Sequence, residues 1–403
     1  MMNMIGDRQR TVAIGRFVVP VIVGAGIVSA FQVGKVPVVM TALQDDLGVG
    51  LASASWLLSA FALVGALAAA PLGLLVGRFG AKGMALSGLL MQAVGSAIGG
   101  VSPVFDIILA SRVLEGIGFL LLIVAAPTLI TAATRHGGRE KAMALWATFM
   151  PVGICLVMLA APVLGLIGWR GLWLGNAVLL AGYAVLLRGY MRAIPDADLR
   201  DDFDRRAIGD DLGWALRSGA PWILGGIFAA YTACYFAVFG FLPMLLSKGM
   251  QIGPELSGVL GAVIVLAGAA GNIVCGVLLA RGYQAQRILM TAFAVMTVCS
   301  AGILIDGISV LVPFPAALIF SFVGGFIPVV VFDAAGRSAP RSALVAVTIG
   351  FAMQGNNIGL MVGPAIAGSM AEQFGWGSVG ILIAGIACVA VLLGRSLLRQ
   401  LSV

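Results

Sequence analysis

Charge is what this sequence lacks. Aspartate, glutamate, lysine and arginine make up 10% of its 403 residues, against 61% hydrophobic ones, and the mean hydropathy is +1.08. Soluble domains carry about 25% charged residues, so that class is excluded. Histidine is scarcer still: His136 is the only one and sits in a charged stretch, which removes the usual basis for His-based or metal-dependent catalysis. The five cysteines, Cys155, Cys234, Cys275, Cys299 and Cys388, lie inside apolar runs without paired spacing, so neither a disulfide nor a zinc set follows. No embedded nucleophile or carboxylate cluster stands out, and neither an enzyme nor a cofactor is expected.

What the sequence has instead is long apolar runs. Each run of about 18 residues or more is long enough to cross a hydrocarbon core of roughly 30 Å as a helix, and no run alternates as barrel strands would. An all-α integral membrane protein is expected, with lipid as its solvent. Twelve spans are read near 14–42, 53–77, 83–101, 105–133, 141–166, 170–191, 219–246, 255–280, 287–305, 312–335, 342–371 and 378–398.

An even number of spans puts both termini on one side. Twenty of the 24 basic residues, from Arg8 to Arg399, fall on the termini or the even-numbered loops, and only Arg170 and Lys248 on the odd ones. The positive-inside rule then makes both termini cytoplasmic, in an inner membrane. This topology also accounts for the net charge of +7, so no nucleic-acid partner is implied. Trp56, Trp169, Trp173 and Trp376 would form an aromatic belt at the outer interface. The small-residue sequence VSA at 28–30 imitates a signal-peptide cleavage site, but the apolar run continues past it, and a retained first helix is expected.

The one long polar stretch, 195–219, is the natural linker between halves. The expected organisation is an N-terminal six-helix bundle over 1–190, a cytoplasmic linker over 191–218 and a C-terminal six-helix bundle over 219–403. Leu212, Trp214 and Leu216 beside Arg217 could lie flat on the membrane surface, although a solvated linker accounts for them as well.

The halves repeat. Gly73, Leu75 and Arg78 match Gly276, Leu278 and Arg281 at an offset of 203; Arg139, Gly153 and Pro162 match Arg341, Gly355 and Pro364 at 202; Pro37 matches Pro243 at 206. Equivalent residues lie six spans apart, so the halves share one orientation. Parallel six-span repeats are a transporter plan with a substrate site near midplane between the repeats.

The chain resembles the major facilitator superfamily over essentially its whole length. GLLVGRFGAK at 73–82 is similar to the family's signature after the second span, with Gly73, Leu75, Arg78, Gly80 and Lys82 in place and Gly77 where the family has aspartate. RVLEGIG at 112–118 resembles the fourth-span signature through Arg112, Gly116 and Gly118. Gly153 and Pro162 fit a weakened form of the fifth-span antiporter motif, in which Ala161 replaces a glycine. Within the family, the chain resembles the cyanate and nitroimidazole permease branch. The resemblance implies two pseudo-symmetric six-helix bundles rocking about a central site, lined by spans 1, 4, 7 and 10. It also implies a gate at Gly73, Gly77 and Arg78 and a monomeric carrier of small molecules.

Lys35 and Arg112 are the two basic residues inside spans, where a charge costs roughly 2.5–3.5 kcal/mol at the bilayer centre. Arg112 is six residues from Asp106 and Lys35 ten from Asp45, about 9 and 15 Å along a helix. On two cavity-lining helices they would make a positive site for a small anion, Arg112 through its planar fork and Lys35 as a point charge. Competing readings are a structural Arg112–Glu115 pair at i,i+3 and a Lys35 that snorkels to water. Gly34 and Pro37 around Lys35 loosen its helix and free the carbonyl of Val33.

Proton coupling needs a titratable group in the pathway, and Glu115 is the best placed. Asp333 and Arg337, four apart at the end of span 10, suit a gate or a helix-end ion pair. Uncharged candidates for the substrate are Gln32, Tyr231, Tyr235, Asn272, Gln354, Asn356 and Asn357, residue types that equally serve as glue between membrane helices. The expected activity is secondary active transport of a small anion by alternating access, with protons as the coupling partner. The alternatives are a proton-coupled exporter of hydrophobic drugs and, more remotely, a receptor on the same fold. The missing aspartate at Gly77 yields a first prediction: restoring it with Gly77→Asp strengthens closure of the cytoplasmic side, so cysteines introduced there lose reactivity toward a thiol reagent.

Overall fold

The computed structural model describes the backbone of residues 2–134, 139–192, 194, 213–214, 216–305, 309, 311–338 and 342–401. Within those helices the side chains of 2–16, 68–79, 139–141, 144, 342–346 and 396–401 lie outside the description. Among the described residues the chain is helical throughout, without strands.

The helices follow the apolar runs. The first four spans are Met2–Leu47, Leu51–Phe79, Ala81–Val101 and Phe105–Ala133. The fifth is built from Arg139–Ala147 and Phe149–Leu159 and runs on into Ala161–Met191, most of which is the sixth. The boundary between the two is Gly168, at φ 66°, a left-handed conformation open to glycine at little cost. The second half comprises Gly219–Phe239 with Leu242–Met250, Pro254–Ala280, Ala285–Leu304, Pro313–Gly324 with Phe326–Ser338, Ser342–Phe374 and Trp376–Leu401. Nine helices meet the length and hydropathy of a membrane span among the described residues.

Two helix breaks repeat between the halves. The first span departs from helical geometry at Val39, after Pro37, and the seventh breaks at Gly240–Phe241, before Pro243. Each proline removes one donor from the helix ladder, and the chain bends beside it. Close packing repeats as well. In the first half a Cβ on Gly153 would strike the carbonyl of Ile27; in the second, Gly355 and Gly359 press in the same way on the carbonyls of Gly225 and Ala229. Small residues bring membrane helices to backbone contact, where dispersion takes over the role of the absent hydrophobic effect.

The halves meet where the second span packs on the eleventh, the fifth on the eighth, and the first on the end of the seventh. Among the described side chains, hydrogen bonds cross this seam at mid-span and at the end remote from the termini. Gln354 donates to the Ala66 carbonyl at 3.1 Å near the middle. At the remote end the Ala52 amide donates to the Glu372 carboxylate at 2.6 Å, so an acid from one half caps the first turn of a helix from the other.

The glycine contacts predict a stability difference. Gly355→Val forces a side chain onto the Gly225 backbone, an overpacking cost of about 1–3 kcal/mol, read as a lowered thermal midpoint in detergent. Gly380→Val, where a Cβ meets nothing within 4 Å, leaves that midpoint in place.

Candidate functional site

The fourth span turns Ser111, Arg112, Glu115 and Gly116 to one buried face, as positions three and four apart on a helix must. Gly116 lies directly on the Phe61 carbonyl of the second span, which draws that helix close enough for Arg112 Nε to donate to the Leu57 carbonyl at 2.8 Å. Arg112 Nη2 donates to the Gln32 carbonyl at 2.8 Å, and Nη1 to Gln32 Oε1 at 3.4 Å and to Glu115 Oε2. Its guanidinium lies 4.8 Å from the centre of the Phe61 ring.

Lys35 arrives from the first span. Its Nζ donates to Glu115 Oε1 at 2.6 Å and to Ser96 Oγ at 3.0 Å, and it stands 4.2 Å from the centre of the Trp173 ring. Ser96 in turn donates to the Trp173 carbonyl at 2.9 Å. Gly95 and Gly34 make room: a Cβ on Gly95 would come within 2.8 Å of Glu115 Cγ, and one on Gly34 within 3.3 Å of the Ile154 backbone. Glu115 is thus gripped by a different cation on each oxygen, inside a cage drawn from the first, second, third, fourth and sixth spans.

Lys35, Arg112 and Glu115 are 0%, 1% and 0% exposed. Two formal positive charges face one negative, a net +1. Burying ions costs several kcal/mol each unless geometry and further hydrogen bonds compensate, and here carbonyls, a hydroxyl and an aromatic face do so. Lys35 therefore does not snorkel. The anticipated Arg112–Glu115 pair and the anticipated approach of Lys35 to Arg112 are present together, in a closed cluster rather than on an open wall.

The other candidates sit elsewhere. Tyr231 and Tyr235 lie in an aromatic column, with ring centres 5.6 Å apart, flanked by Phe228, Phe239 and Phe320. Tyr235 shares a hydrogen bond with Ser321 at 3.2 Å, and Tyr231 makes none among the described residues. Three amides are engaged in packing: Gln354 as given above, Asn356 accepting from Thr232 at 2.9 Å, and Asn357 donating to the Met353 carbonyl at 2.8 Å. Asn272 is exposed on the eighth span and joins none of them by a hydrogen bond. Asp333 and Arg337 form an ion pair at 3.0 Å. Gly73, Gly77 and Arg78 fall outside the residues whose side chains are described.

One expectation needs correcting. Trp173 is fully buried and Trp169 nearly so, so neither belongs to an interfacial belt: Trp173 packs on Lys35, while Trp169 donates to Asp46 at 3.1 Å beside the Arg170–Asp46 ion pair. Ser96 and Glu372 escaped the sequence reading. Ser96 lies in a run of small residues that reads as packing, and Glu372 at a span end reads as a solvated charge.

The family model described as Major Facilitator Superfamily matches residues 22–353. A methylenomycin A resistance protein of Bacillus subtilis (strain 168) is 26% identical over 267 residues, which is 63% of this chain and 56% of that protein; the match thus spans little more than half of the relative. Among solved structures, a variant of the nucleoside transporter NupG superposes with a TM-score of 0.77 at 12% identity, covering 94% of this chain and 99% of the other. A bacterial homologue of the human lysosomal transporter Spinster, inward-facing and occupied, gives 0.73 at 15% identity, covering 96% and 94%.

The charge count of the cluster predicts an order of stabilities. Glu115→Gln leaves two buried cations unopposed and costs about 3–5 kcal/mol. Lys35→Met leaves a neutral Arg112–Glu115 pair and costs less, and the double variant recovers part of the Glu115→Gln loss. Thermal midpoints of the three purified proteins check this order.

Proposed function

The chain belongs to the Major Facilitator Superfamily of secondary transporters, and from that premise we propose that it couples the movement of a small anion to protons through the Lys35–Glu115–Arg112 cluster. The observation that carries this reading is the sharing of Glu115: one carboxylate occupies both cations. Protonation of Glu115 removes the negative charge and releases two adjacent cations. A carboxylate or similar anion then takes its place, bidentate on Arg112 and within reach of Lys35. Loss of the proton restores the internal pair and expels the anion. Proton and anion therefore bind together, the logic of a symporter.

In this reading the protein is a monomer in an inner membrane with both termini cytoplasmic, as the distribution of basic residues favours. Residues 1–190 and 219–403 are the two moving bundles, and 191–218 links them. The contact of Ala52 with Glu372 at the remote end makes Glu372 part of an outer latch. Gly73, Gly77, Arg78 and the Asp333–Arg337 pair belong to the cytoplasmic gate. Tyr231, whose hydroxyl makes no hydrogen bond among the described residues, is the uncharged group most available to a substrate, and Gln32 is a candidate through its contact with Arg112. Tyr235, Asn272, Gln354, Asn356 and Asn357 are the remaining candidates.

A second reading, export of a hydrophobic toxic compound against protons, draws support from the resistance protein among the relatives. Two clefts of about 350 and 360 Å³ on either side of Trp56 and the aromatic column on the seventh span favour apolar ligands.

Proteoliposome uptake of a panel of small organic anions, with and without a pH gradient, separates the two. Anion uptake driven by an inward proton gradient, lost in Lys35→Gln and Arg112→Gln, is expected. Wild-type uptake in both variants would sink the anion site. Efflux of neutral or cationic drugs that fails only in Glu115→Gln would establish the exporter instead.

A further inference from the structure

Behind the ion cluster the first bundle holds polar atoms that no protein group satisfies. Ser29 Oγ and Gln32 Nε2 on the first span, Gln92 Oε1 on the third, and both Nδ2 and Oδ1 of Asn176 on the sixth are buried without a hydrogen-bond partner. Ser29, Gln32 and Gln92 are 0% exposed and Asn176 is 2%. Unpaired buried polar atoms cost about 1–3 kcal/mol each, and native proteins satisfy them with ordered water.

Their positions are related. Ser29 and Gln32 are one turn apart on the helix that carries Lys35, and Gln92 is one turn from Ser96 on the third span. Asn176 is one turn from Trp173, on the buried face of the sixth. Ser29, Gln92 and Asn176 all lie on the terminal side of the cluster. A Cβ on Gly118, one turn from Glu115, would come within 2.9 Å of Gln92 Cγ, so Gln92 runs alongside the helix of Glu115. Gln32 touches the cluster directly through Arg112. Below this layer Ala25, Leu89, Leu122, Ala126, Leu180 and Ala184 form an apolar plug.

We propose that Gln32, Ser29, Gln92 and Asn176 bound a closed pocket of ordered water inside the N-terminal bundle, and that this water exchanges the proton of Glu115. A proton from bulk water that crosses the plug during its transient hydration reaches the pocket as hydronium and passes to a Glu115 oxygen, leaving water and a neutral carboxylic acid, and the reverse step returns it to the bulk. The apolar plug makes the pocket a relay rather than a pore. Lys35 and Arg112 are the charged groups that face Glu115. The second, third and sixth spans present Phe61, Ser96 and Trp173 to the cluster, all uncharged. The inference rests on Glu115 being the proton carrier.

The test is infrared spectroscopy of the full-length protein in nanodiscs after a pH jump. The carbonyl stretch of protonated Glu115 is assigned by its loss in Glu115→Gln, and its rise is timed. Asn176→Leu and Gln92→Leu, which remove the unpaired amide atoms and keep a side chain of similar size, slow that rise by ~10-fold or more. Asn176→Ser, which keeps a hydroxyl and adds room for water, keeps the wild-type rate. A band that rises at the wild-type rate in both leucine variants overturns the water relay and leaves the proposed coupling standing. Absence of any Glu115-dependent band overturns both. Should a leucine variant fail to fold, the milder Ser29→Ala reads the same rate.

Discussion

A carboxylate held between two cations in a medium that cannot solvate any of them is the constraint on which this structure turns. In water such a cluster would be worth little; in a bilayer core each charge needs its partners in place before the helices close. Glu115 therefore fixes the relative position of the first and fourth spans, Arg112 reaches past it to the second, and Lys35 reaches the third through Ser96. The glycines at 95 and 116 lie at points where a side chain would hold those helices apart, and Gly34 does the same for the first span against the fifth. Packing and electrostatics are here one arrangement: small residues bring the backbones together, and their approach lets the long side chains complete each other's bonds.

The second half has the same backbone plan and none of this charge. Its helix break at Gly240–Phe241 answers that at Val39, and the glycines of its eleventh span repeat the contact of Gly153. Phe241, which stands opposite Lys35 in the repeat, is buried against Trp376 with ring centres 5.2 Å apart. Tyrosines and phenylalanines line its seventh and tenth spans instead. A repeat that keeps its joints and divides its chemistry has one half suited to charge and one to ring faces.

Much of the fold was legible because membrane helices obey a strong rule: their backbone must satisfy itself, so apolar length alone marks them. The spans read from hydropathy fall within a few residues of the observed helices over most of the chain. The largest departure is the first, where the helix begins at Met2 rather than near residue 14. The interruptions inside spans are marked by prolines: Pro37 and Pro243 announce theirs, and Pro328 follows the glycines of the division at Gly324–Phe326. In the site, Arg112, Glu115 and Lys35 stood out as charges in apolar runs. That the two cations would share one carboxylate could not be read, since it depends on which faces of the first and fourth helices meet. Ser96, Trp173 and Asn176 are ordinary residues for such helices, and their significance comes from what lies across from them.

The net positive charge of the cluster has an electrical consequence. A unit charge carried through the whole membrane field experiences about 2.3 kcal/mol for every 100 mV, and rocking of the bundles shifts the fraction of that field acting on the cluster. In a cell with a negative interior, the empty carrier is biased by voltage toward the shape that exposes the cluster inward. In the proposed cycle a proton on Glu115 and an anion beside Lys35 and Arg112 arrive together and add no net charge, so the loaded and the empty carrier keep the same positive charge and feel the same bias.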